Sequence, residues 1–207
     1  HTITSKVSGN VEVELGISRR RQRMDHHTAV HIVGGAARIL LGPHVYQAGA
    51  NKNTDSARLD ITHHSRLSRD DLDEIEKLSN QILQEIQTTE KMELPRAQAD
   101  KEFGFDLYQG GAPKGGDVRI LKIGEHDVQA CGGTHHDEPA KIGSIRIIRS
   151  SAVQDGVERL TIVAGAAALE HSRHQAELLS EASEVFGIDE NDLPRTASRF
   201  FEEWKTQ

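Results

Sequence analysis

The chain is poor in cysteine and lacks long apolar runs, and each scarcity excludes a class of protein. Among 207 residues there is one cysteine, so no disulfide forms within the chain. A lone thiol accompanied by many histidines is better explained as a metal ligand in a reducing compartment. No apolar run approaches the roughly 20 residues of a membrane-spanning helix, and the first residues lack the charged-then-apolar order of a signal peptide. We therefore expect a cytoplasmic protein with no membrane partner.

Basic residues are scarce relative to acidic ones. The formal net charge of −7 argues against broad nonspecific nucleic-acid binding, which depends on neutralising phosphates with Lys and Arg. Two basic clusters depart from this balance. The first cluster comprises Arg19, Arg20, Arg21 and Arg23, and the second comprises Lys141, Arg146 and Arg149. Basic clusters are usually solvated faces. These two flank the candidate site described next, which raises the alternative of RNA contact.

The length and composition fit one domain, with room for an appendage. With 207 residues, 36% of them hydrophobic, the chain can bury a core of ordinary size. Because its first residue is His1 rather than Met, we expect a fragment of a longer protein.

Two short motifs, far apart in the chain, together supply the ligands of one metal site. In His27-Thr-Ala-Val-His31 the histidines are four residues apart and so lie one turn above each other on a helix. In Cys131-Gly-Gly-Thr-His135 the glycines let the backbone fold close to an ion. Three nitrogens and one sulfur fit tetrahedral zinc. We predict one Zn²⁺ per chain.

Several alternatives stay open at this point. His26 lies off the helical face, whereas His136 competes with His135 for the last ligand position. A metalloprotease helix carries Glu directly after its first histidine, and the Thr28 found there makes peptidase chemistry unlikely. Cys131 as a nucleophile is a further alternative. Four protein ligands normally indicate a structural ion and an open position a catalytic one, and spacing does not decide between them.

Hydrophobic patterning predicts both strands and helices. Helical periodicity covers 20–41 and ends at Gly42-Pro43, and Ser68 is a candidate N-cap for an amphipathic helix. Another helix is predicted over 166–186, followed by a break at 187–194 and a final helix. The predicted strands are 11–15, 45–50, 57–62, 118–123, 128–130, 142–148 and 157–163, with a hairpin turn at 51–55 and a glycine-rich loop at 110–116. An unpartnered packing face is predicted from Leu193, Phe200, Phe201 and Trp204.

Taken together, the motifs resemble the editing domain of alanyl-tRNA synthetases and of the related freestanding editing proteins. The similarity is highly specific, covers roughly residues 1–164 in order, and is greatest for the archaeal branch. Beyond the ligands, the segments that carry it are His44-Val-Tyr-Gln47-Ala-Gly49-Ala, Ala57-Arg58-Leu-Asp60-Ile-Thr-His63, Tyr108-Gln-Gly-Gly111, Asp127-Val-Gln-Ala-Cys131 and Gln154-Asp-Gly-Val-Glu-Arg159.

The resemblance implies an α+β fold, with a mixed or antiparallel sheet and a zinc-bearing helix. It implies hydrolysis of the ester of tRNA(Ala) wrongly charged with serine or glycine, while the alanyl ester is spared. It places the zinc in the substrate pocket and selects His135 over His136. Gln47 becomes the candidate catalytic residue and reader of the seryl hydroxyl. The other predicted substrate contacts are Thr28, Val30 and Gly132, and Val30 stands where the family commonly has Thr.

The resemblance also divides the chain and names its partners. Residues 1–164 form the editing domain, and residues 165–207 form a helical extension that resembles the start of the synthetase's C-terminal region. The partner is mischarged tRNA(Ala), for which the basic residues Arg19, Arg20, Arg21, Arg23, Lys141 and Arg146 are candidate contacts. No class II ATP-binding motif is visible, so ATP serves only an aminoacylation module of the parent that this chain lacks. We also expect a homodimer of the full-length parent, through a region outside this chain.

Three functions compete at this stage. They are an esterase editing domain, within a synthetase or freestanding, an RNA-binding module with a structural zinc, and the related editing domain of threonyl-tRNA synthetases. The last has a different loop around its cysteine, so Cys-Gly-Gly-Thr-His favours the alanyl family.

Overall fold

The computed structural model describes residue 9, residues 14–111 and residues 114–206. Strands and helices both contribute to the core, and all strand pairings among the described residues are antiparallel. The predicted α+β fold is confirmed. Of the two predicted kinds of sheet, mixed and antiparallel, the described strands form the antiparallel kind. The predicted strand at 11–15 lies mostly outside the described residues. None of the described helices combines the length and apolar character that a membrane crossing requires.

The elements follow one another along the chain in a mixed order. The helices are α1 (Ile17–Leu41), α2 (Arg69–Glu85), α3 (Arg96–Phe103), α4 (Ala166–Phe186) and α5 (Leu193–Lys205). The strands are β1 (Gln47–Lys52), β2 (Ala57–Thr62), β3 (Glu90–Pro95), β4 (Asp117–Ile123), β5 (Asp127–Ala130), β6 (Ile145–Gln154) and β7 (Val157–Ala164). Short 3₁₀ turns precede β4, β6 and α5.

The strands form two sheets rather than one. The larger has the order β1-β2-β7-β6, and helices α1 and α2 pack against it. Its core is aliphatic, as expected where one sheet face is covered by amphipathic helices. The smaller sheet has the order β3-β4-β5 and a small core of its own built from Ala99, Leu107, Val118 and Ile120.

Helix α1 is the central element of the fold. Ala29, Ile32, Val33 and Ala36 are fully buried, because the apolar spacing of this segment places them on one face. Gly35 allows the helix to approach the turn between β4 and β5, since a Cβ there would lie 2.7 Å from the backbone oxygen of His126. The smaller sheet is thereby brought against the middle of α1.

The other predicted helices are also present. Helix α2 begins at a capping box, in which Ser68 accepts from the Asp71 amide and the Asp71 carboxylate accepts from the Ser68 amide. Helix α4 has the predicted bounds, and its C-terminus is closed by Gly187 in the left-handed conformation. The predicted packing face is exposed on α5, where Phe200, Phe201 and Trp204 retain 48%, 53% and 69% of their surface.

Candidate metal centre

Two histidines of the candidate site project from adjacent turns of α1. The ring centroids of His27 and His31 lie 5.4 Å apart, as the four-residue spacing predicts. His26 faces elsewhere, with its Nδ1 atom 2.7 Å from the backbone oxygen of Asn53. The prediction that His26 lies off the ligand face is therefore confirmed.

The second motif forms a loop that leaves the end of β5. The Cys131 amide donates to the Arg119 carbonyl oxygen at 2.9 Å. The Arg119 guanidinium donates to the Gly133 carbonyl oxygen at 2.5 Å, and the Lys91 ammonium donates to the His135 carbonyl oxygen at 3.0 Å. One hydrogen bond from the loop to β4 and two donors, from β4 and β3, thus fix the course of the loop.

The two motifs converge on one point. One ligand atom from each of His27, His31, Cys131 and His135 lies within 4.8 Å of the others. The Cys131 sulfur is 3.4 Å from Nε2 of His27 and 3.2 Å from Nε2 of His135. Glycine is required in the loop, because a Cβ on Gly133 would overlap the imidazole of His27. The donor set and its close convergence fit a tetrahedral zinc ion.

Electrostatics favour the ligand forms of these side chains. Burial by itself would raise the pKa of the Cys131 thiol, but hydrogen bonds from His135, His27 and His31 lower it to about 2. Burial lowers the pKa of His135 to about 4 and also lowers that of His27. Burial acts in the same direction on His31, but hydrogen bonds to Asp127 and Cys131 raise its pKa to about 9. These directions favour the thiolate and the neutral rings of His27 and His135, whereas the raised pKa of His31 couples cation binding there to release of a proton.

Two residues orient the ligand rings from behind. Nδ1 of His31 lies 2.9 Å from a carboxylate oxygen of Asp127, an arrangement that leaves Nε2 to face the centre. Nδ1 of His135 lies 3.4 Å from the Thr28 hydroxyl. Sequence reasoning missed the role of Asp127, although alternation along β5 places it on the same strand face as Cys131.

His136 has a different environment from His135. Its ring is hydrogen-bonded to the Asp25 carboxylate, and its amide donates to the Thr28 hydroxyl at 3.2 Å. His135, not His136, has its ring against Cys131. The geometry therefore agrees with the choice of His135.

The predicted substrate contacts fall in different places. Gln47 begins β1 beside a β-bulge, a feature that re-aims side chains near functional sites, and Gln47, Val30 and Asp127 line one cavity. Gly132 is exposed, with open space where its Cβ would be. Thr28 is fully buried, and its hydroxyl contacts His135 and His136. The geometry thus favours a positioning role for Thr28 over direct substrate contact.

The predicted basic contacts divide into two groups. Arg19, Arg20, Arg21, Arg23 and Lys141 are exposed. Arg21 and Lys141 come together on one surface pocket, which His135 and His136 also line. Arg146 instead pairs with Glu76 at 2.9 Å and contacts the Ser172 hydroxyl, so much of its charge is neutralised within the protein.

Part of the chain is similar to a known family of domains. Residues 118–161, which include β4, β5 and the Cys131 loop, match the family model described as the threonyl and alanyl tRNA synthetase second additional domain.

The similar full-length proteins are alanine–tRNA ligases. The chain is 50% identical over 200 residues to that of Halobacterium salinarum, 47% over 197 residues to that of Methanopyrus kandleri, and 45% over 199 residues to that of Pyrococcus furiosus. These alignments cover 95 to 96% of the chain and 21 to 22% of each relative. The chain therefore spans about a fifth of the length of the curated relatives that it matches. The resemblance to archaeal-type alanyl-tRNA synthetases is confirmed.

Proposed function

We propose that this chain hydrolyses the aminoacyl ester of tRNA(Ala) that carries serine or glycine and spares the alanyl ester. The observation that carries the proposal is the convergence of His27, His31, Cys131 and His135, together with a cavity that Gln47 lines along with Asp127, the partner of the ligand His31. The similarity to alanine–tRNA ligases supports the choice of tRNA. The parent activity, charging of tRNA(Ala) with ATP, belongs to the same proposal and lies outside this chain.

The physical reason for such an activity is the small size of alanine. A pocket that accepts alanine does not strongly exclude glycine, and it discriminates weakly against a side chain that only adds a hydroxyl. A second site that hydrogen-bonds the seryl hydroxyl discriminates well, because alanine leaves its buried polar groups unpaired. Gln47 is the residue that we assign to this contact, as its amide offers both donors and an acceptor.

We assign the zinc to the four converging ligands. When bound, the ion would polarise the ester carbonyl or an attacking water and so supply Lewis-acid chemistry. Asp127 holds the His31 ring in the orientation in which Nε2 faces the centre, and Thr28 does the same more weakly for His135. Hydrolysis places the water oxygen on the acyl carbon and returns a proton to the departing ribose oxygen.

The domain division and the RNA contacts complete the proposal. Residues up to 164 contain every proposed ligand and cavity residue, and we assign the editing activity to them; the helices from 165 onward form an extension. Arg21 and Lys141, which share a pocket with the ligand His135, are the proposed contacts for the tRNA backbone near the aminoacyl end. Arg19, Arg20 and Arg23 extend this basic surface along the start of α1. The cytoplasmic location follows from the proposed tRNA substrate.

The test is a deacylation assay with seryl-, glycyl- and alanyl-tRNA(Ala), with and without a zinc chelator. We expect hydrolysis of the first two, little hydrolysis of the third, and loss of all activity on chelation. Gln47→Ala should reduce seryl-tRNA hydrolysis while zinc content is retained, whereas Gln84→Ala, on the exposed side of α2, should not. Binding of all three tRNAs without cleavage would instead indicate an RNA-binding module with a structural zinc.

A further inference from the structure

A second histidine cluster lies at the open end of the β1–β2 hairpin. His44 precedes β1, and His63 and His64 follow β2. One ring nitrogen from each of the three lies within 4.8 Å of the other two. The ring centroids are 5.1 Å apart for His44 and His63, 5.4 Å for His44 and His64, and 4.6 Å for His63 and His64. Neither the zinc assignment nor the proposed hydrolysis uses this cluster.

The backbone that carries the cluster is held by hydrogen bonds. The Thr62 hydroxyl donates to the His44 carbonyl oxygen at 2.5 Å and accepts from the Tyr46 amide at 2.8 Å. The His63 amide donates to the Gly156 carbonyl oxygen at 2.9 Å. These contacts bring His44 and His63 together without any ion. Little further conformational entropy of the backbone is therefore lost when an ion binds there.

The side chains have the accessibility and charge state of ligands. His63 is buried to 9% exposure, whereas His44 and His64 are exposed, which leaves room for water on the outer side of an ion. Burial and the two neighbouring imidazoles lower the pKa of His63, which keeps its ring neutral. Neutral imidazole is a ligand for Zn²⁺, Ni²⁺ and Cu²⁺.

The geometry points to a second metal site, at which His44, His63 and His64 bind one divalent transition-metal ion with water completing the coordination. Two nitrogens about 2.1 Å from one ion are at most about 4.2 Å apart, so the three atoms, which lie within 4.8 Å of one another, need at most a small rotation of the two exposed rings. Nε2 of His44 and Nδ1 of His63 share a hydrogen bond of 2.8 Å. The proton between them moves to the other nitrogen of its own ring when the cation takes its place, so both imidazoles bind neutral.

Such an ion would close the hairpin. It would join His44, which lies three positions before Gln47, to His63 and His64, which follow β2. An ion that binds the folded chain and not the unfolded chain stabilises the folded state by mass action. The ion should therefore raise the unfolding temperature of the protein.

The experiment uses the chain already loaded with one equivalent of zinc, so that the cysteine-containing centre is filled. Titration with Ni²⁺ is followed by calorimetry, and both metals are then measured by elemental analysis. We expect one equivalent of Ni²⁺ to bind without release of zinc and to raise the unfolding temperature. His44→Ala and His64→Ala should each weaken Ni²⁺ binding about tenfold or more, since even outer partners of metal ligands contribute about that much.

Matched controls are His174→Ala, an exposed histidine of α4, and His1→Ala, at the first residue of the chain. Both should leave Ni²⁺ binding and zinc content unchanged. The inference is overturned if the zinc-loaded chain binds no Ni²⁺, if Ni²⁺ binds only by displacing zinc, or if both cluster variants bind Ni²⁺ as tightly as the parent chain.

Discussion

The two halves of the proposed zinc centre are held in place by different forces. The helix half, His27 and His31, belongs to α1, whose neighbouring apolar residues are almost completely buried. The loop half, Cys131 and His135, lies in a loop with exposed positions at Gly132 and Thr134, and hydrogen bonds from other strands fix it. Packing therefore dominates in the helix half, whereas in the loop half polar contacts add to the burial of Cys131 and His135.

This difference determines where the centre is vulnerable. A helix in a packed core has few alternative arrangements, because interiors are as dense as crystals of small molecules. The loop half depends on individual donors, chiefly Arg119 at Gly133 and Lys91 at His135. We expect substitutions around the loop half to alter metal binding without unfolding the domain, and the following predictions test that expectation in order of decreasing effect.

Removal of a ligand from either half should have the largest effect. Cys131→Ala or His31→Ala leaves three ligands, so we expect zinc content to fall from one per chain to a small fraction of that in dialysed protein. His136→Ala should retain zinc, because its ring is directed to Asp25. Elemental analysis provides the measurement. Retention by Cys131→Ala together with loss in His136→Ala would show that the ligand assignment is wrong.

A methyl group added to the loop half should have the second largest effect on zinc binding. Gly133→Ala places a Cβ against the His27 imidazole, whereas Gly132→Ala places one in open space. We therefore expect zinc affinity, measured by chelator competition, to fall about tenfold or more for Gly133→Ala, as it does when ligand orientation is disturbed. Gly132→Ala is the matched control from the same loop. Equal zinc affinities for the two variants would mean that the loop moves freely away from α1 and is not fixed in place as we infer.

Loss of an orienting partner should have a comparable or smaller effect. Asp127→Asn removes the charge that contacts His31 at 2.9 Å, and losses of this kind typically weaken metal binding about 10- to 100-fold. Thr28→Val should have less effect on affinity, because its contact with His135 is 3.4 Å long. Asp73→Asn, on the exposed face of α2, serves as the control. A larger loss for Thr28→Val than for Asp127→Asn would reverse the roles that we assign.

The convergence of the two motifs could be predicted from the sequence because each pair of side chains is local, whereas the choice of His135 over His136 came from the family resemblance. A four-residue spacing on a helix and a Gly-Gly loop each have a direct structural meaning. The orienting residues could not be predicted in this way, because the pairing of Asp127 with His31 and of Lys91 with His135 arises only when β3, β4 and β5 pack beside α1. Thr28 shows the same limit, since the helical pattern placed it beside the ligands but did not show that it faces the core.

The elements of the fold divide along similar lines. Helix α4 was predicted with its observed bounds, because apolar residues recur at helical spacing and neither glycine nor proline interrupts the segment before Gly187. Strand β3 and helix α3 were missed. Strand β3 is short, carries three charged residues and ends at Pro95, so its alternation is weak, and α3 buries only Ala99. Strand β3 depends on pairing with β4, and helix α3 packs against both strands; hydrophobic periodicity alone does not reveal such contacts.

A substitution in the cavity beside the helix half should change specificity by a smaller factor. Val30 is 2% exposed and lines the cavity with Gln47. Val30→Thr adds a hydroxyl, and one hydrogen bond to a seryl substrate contributes about 0.5–1.5 kcal/mol. The ratio of seryl to alanyl ester hydrolysis should then rise by a factor of about 2 to 13. Val33→Thr, buried on the same helix, is the control. An unchanged ratio at equal stability and zinc content would mean that Val30 serves packing alone.

The smallest effect should come from the salt bridge at the far end of the loop half, where Lys91 contacts Asp137 at 2.6 Å. The hydrogen bond and charge of Lys91 lower the pKa of Asp137. A carboxyl group whose pKa is lower in the folded chain adds stability above its unfolded pKa and loses that contribution as the pH falls through its folded pKa.

In Lys91→Met we expect the pKa of Asp137 to rise toward the ordinary aspartate value. The measurement is carbon NMR of the metal-free protein, because acid also protonates the zinc ligands. Lys141→Met removes a charge that has a smaller effect on Asp137, so it should move that pKa less. If the pKa of Asp137 is the same in Lys91→Met as in the parent chain, the salt bridge between Lys91 and Asp137 does not hold this end of the loop half.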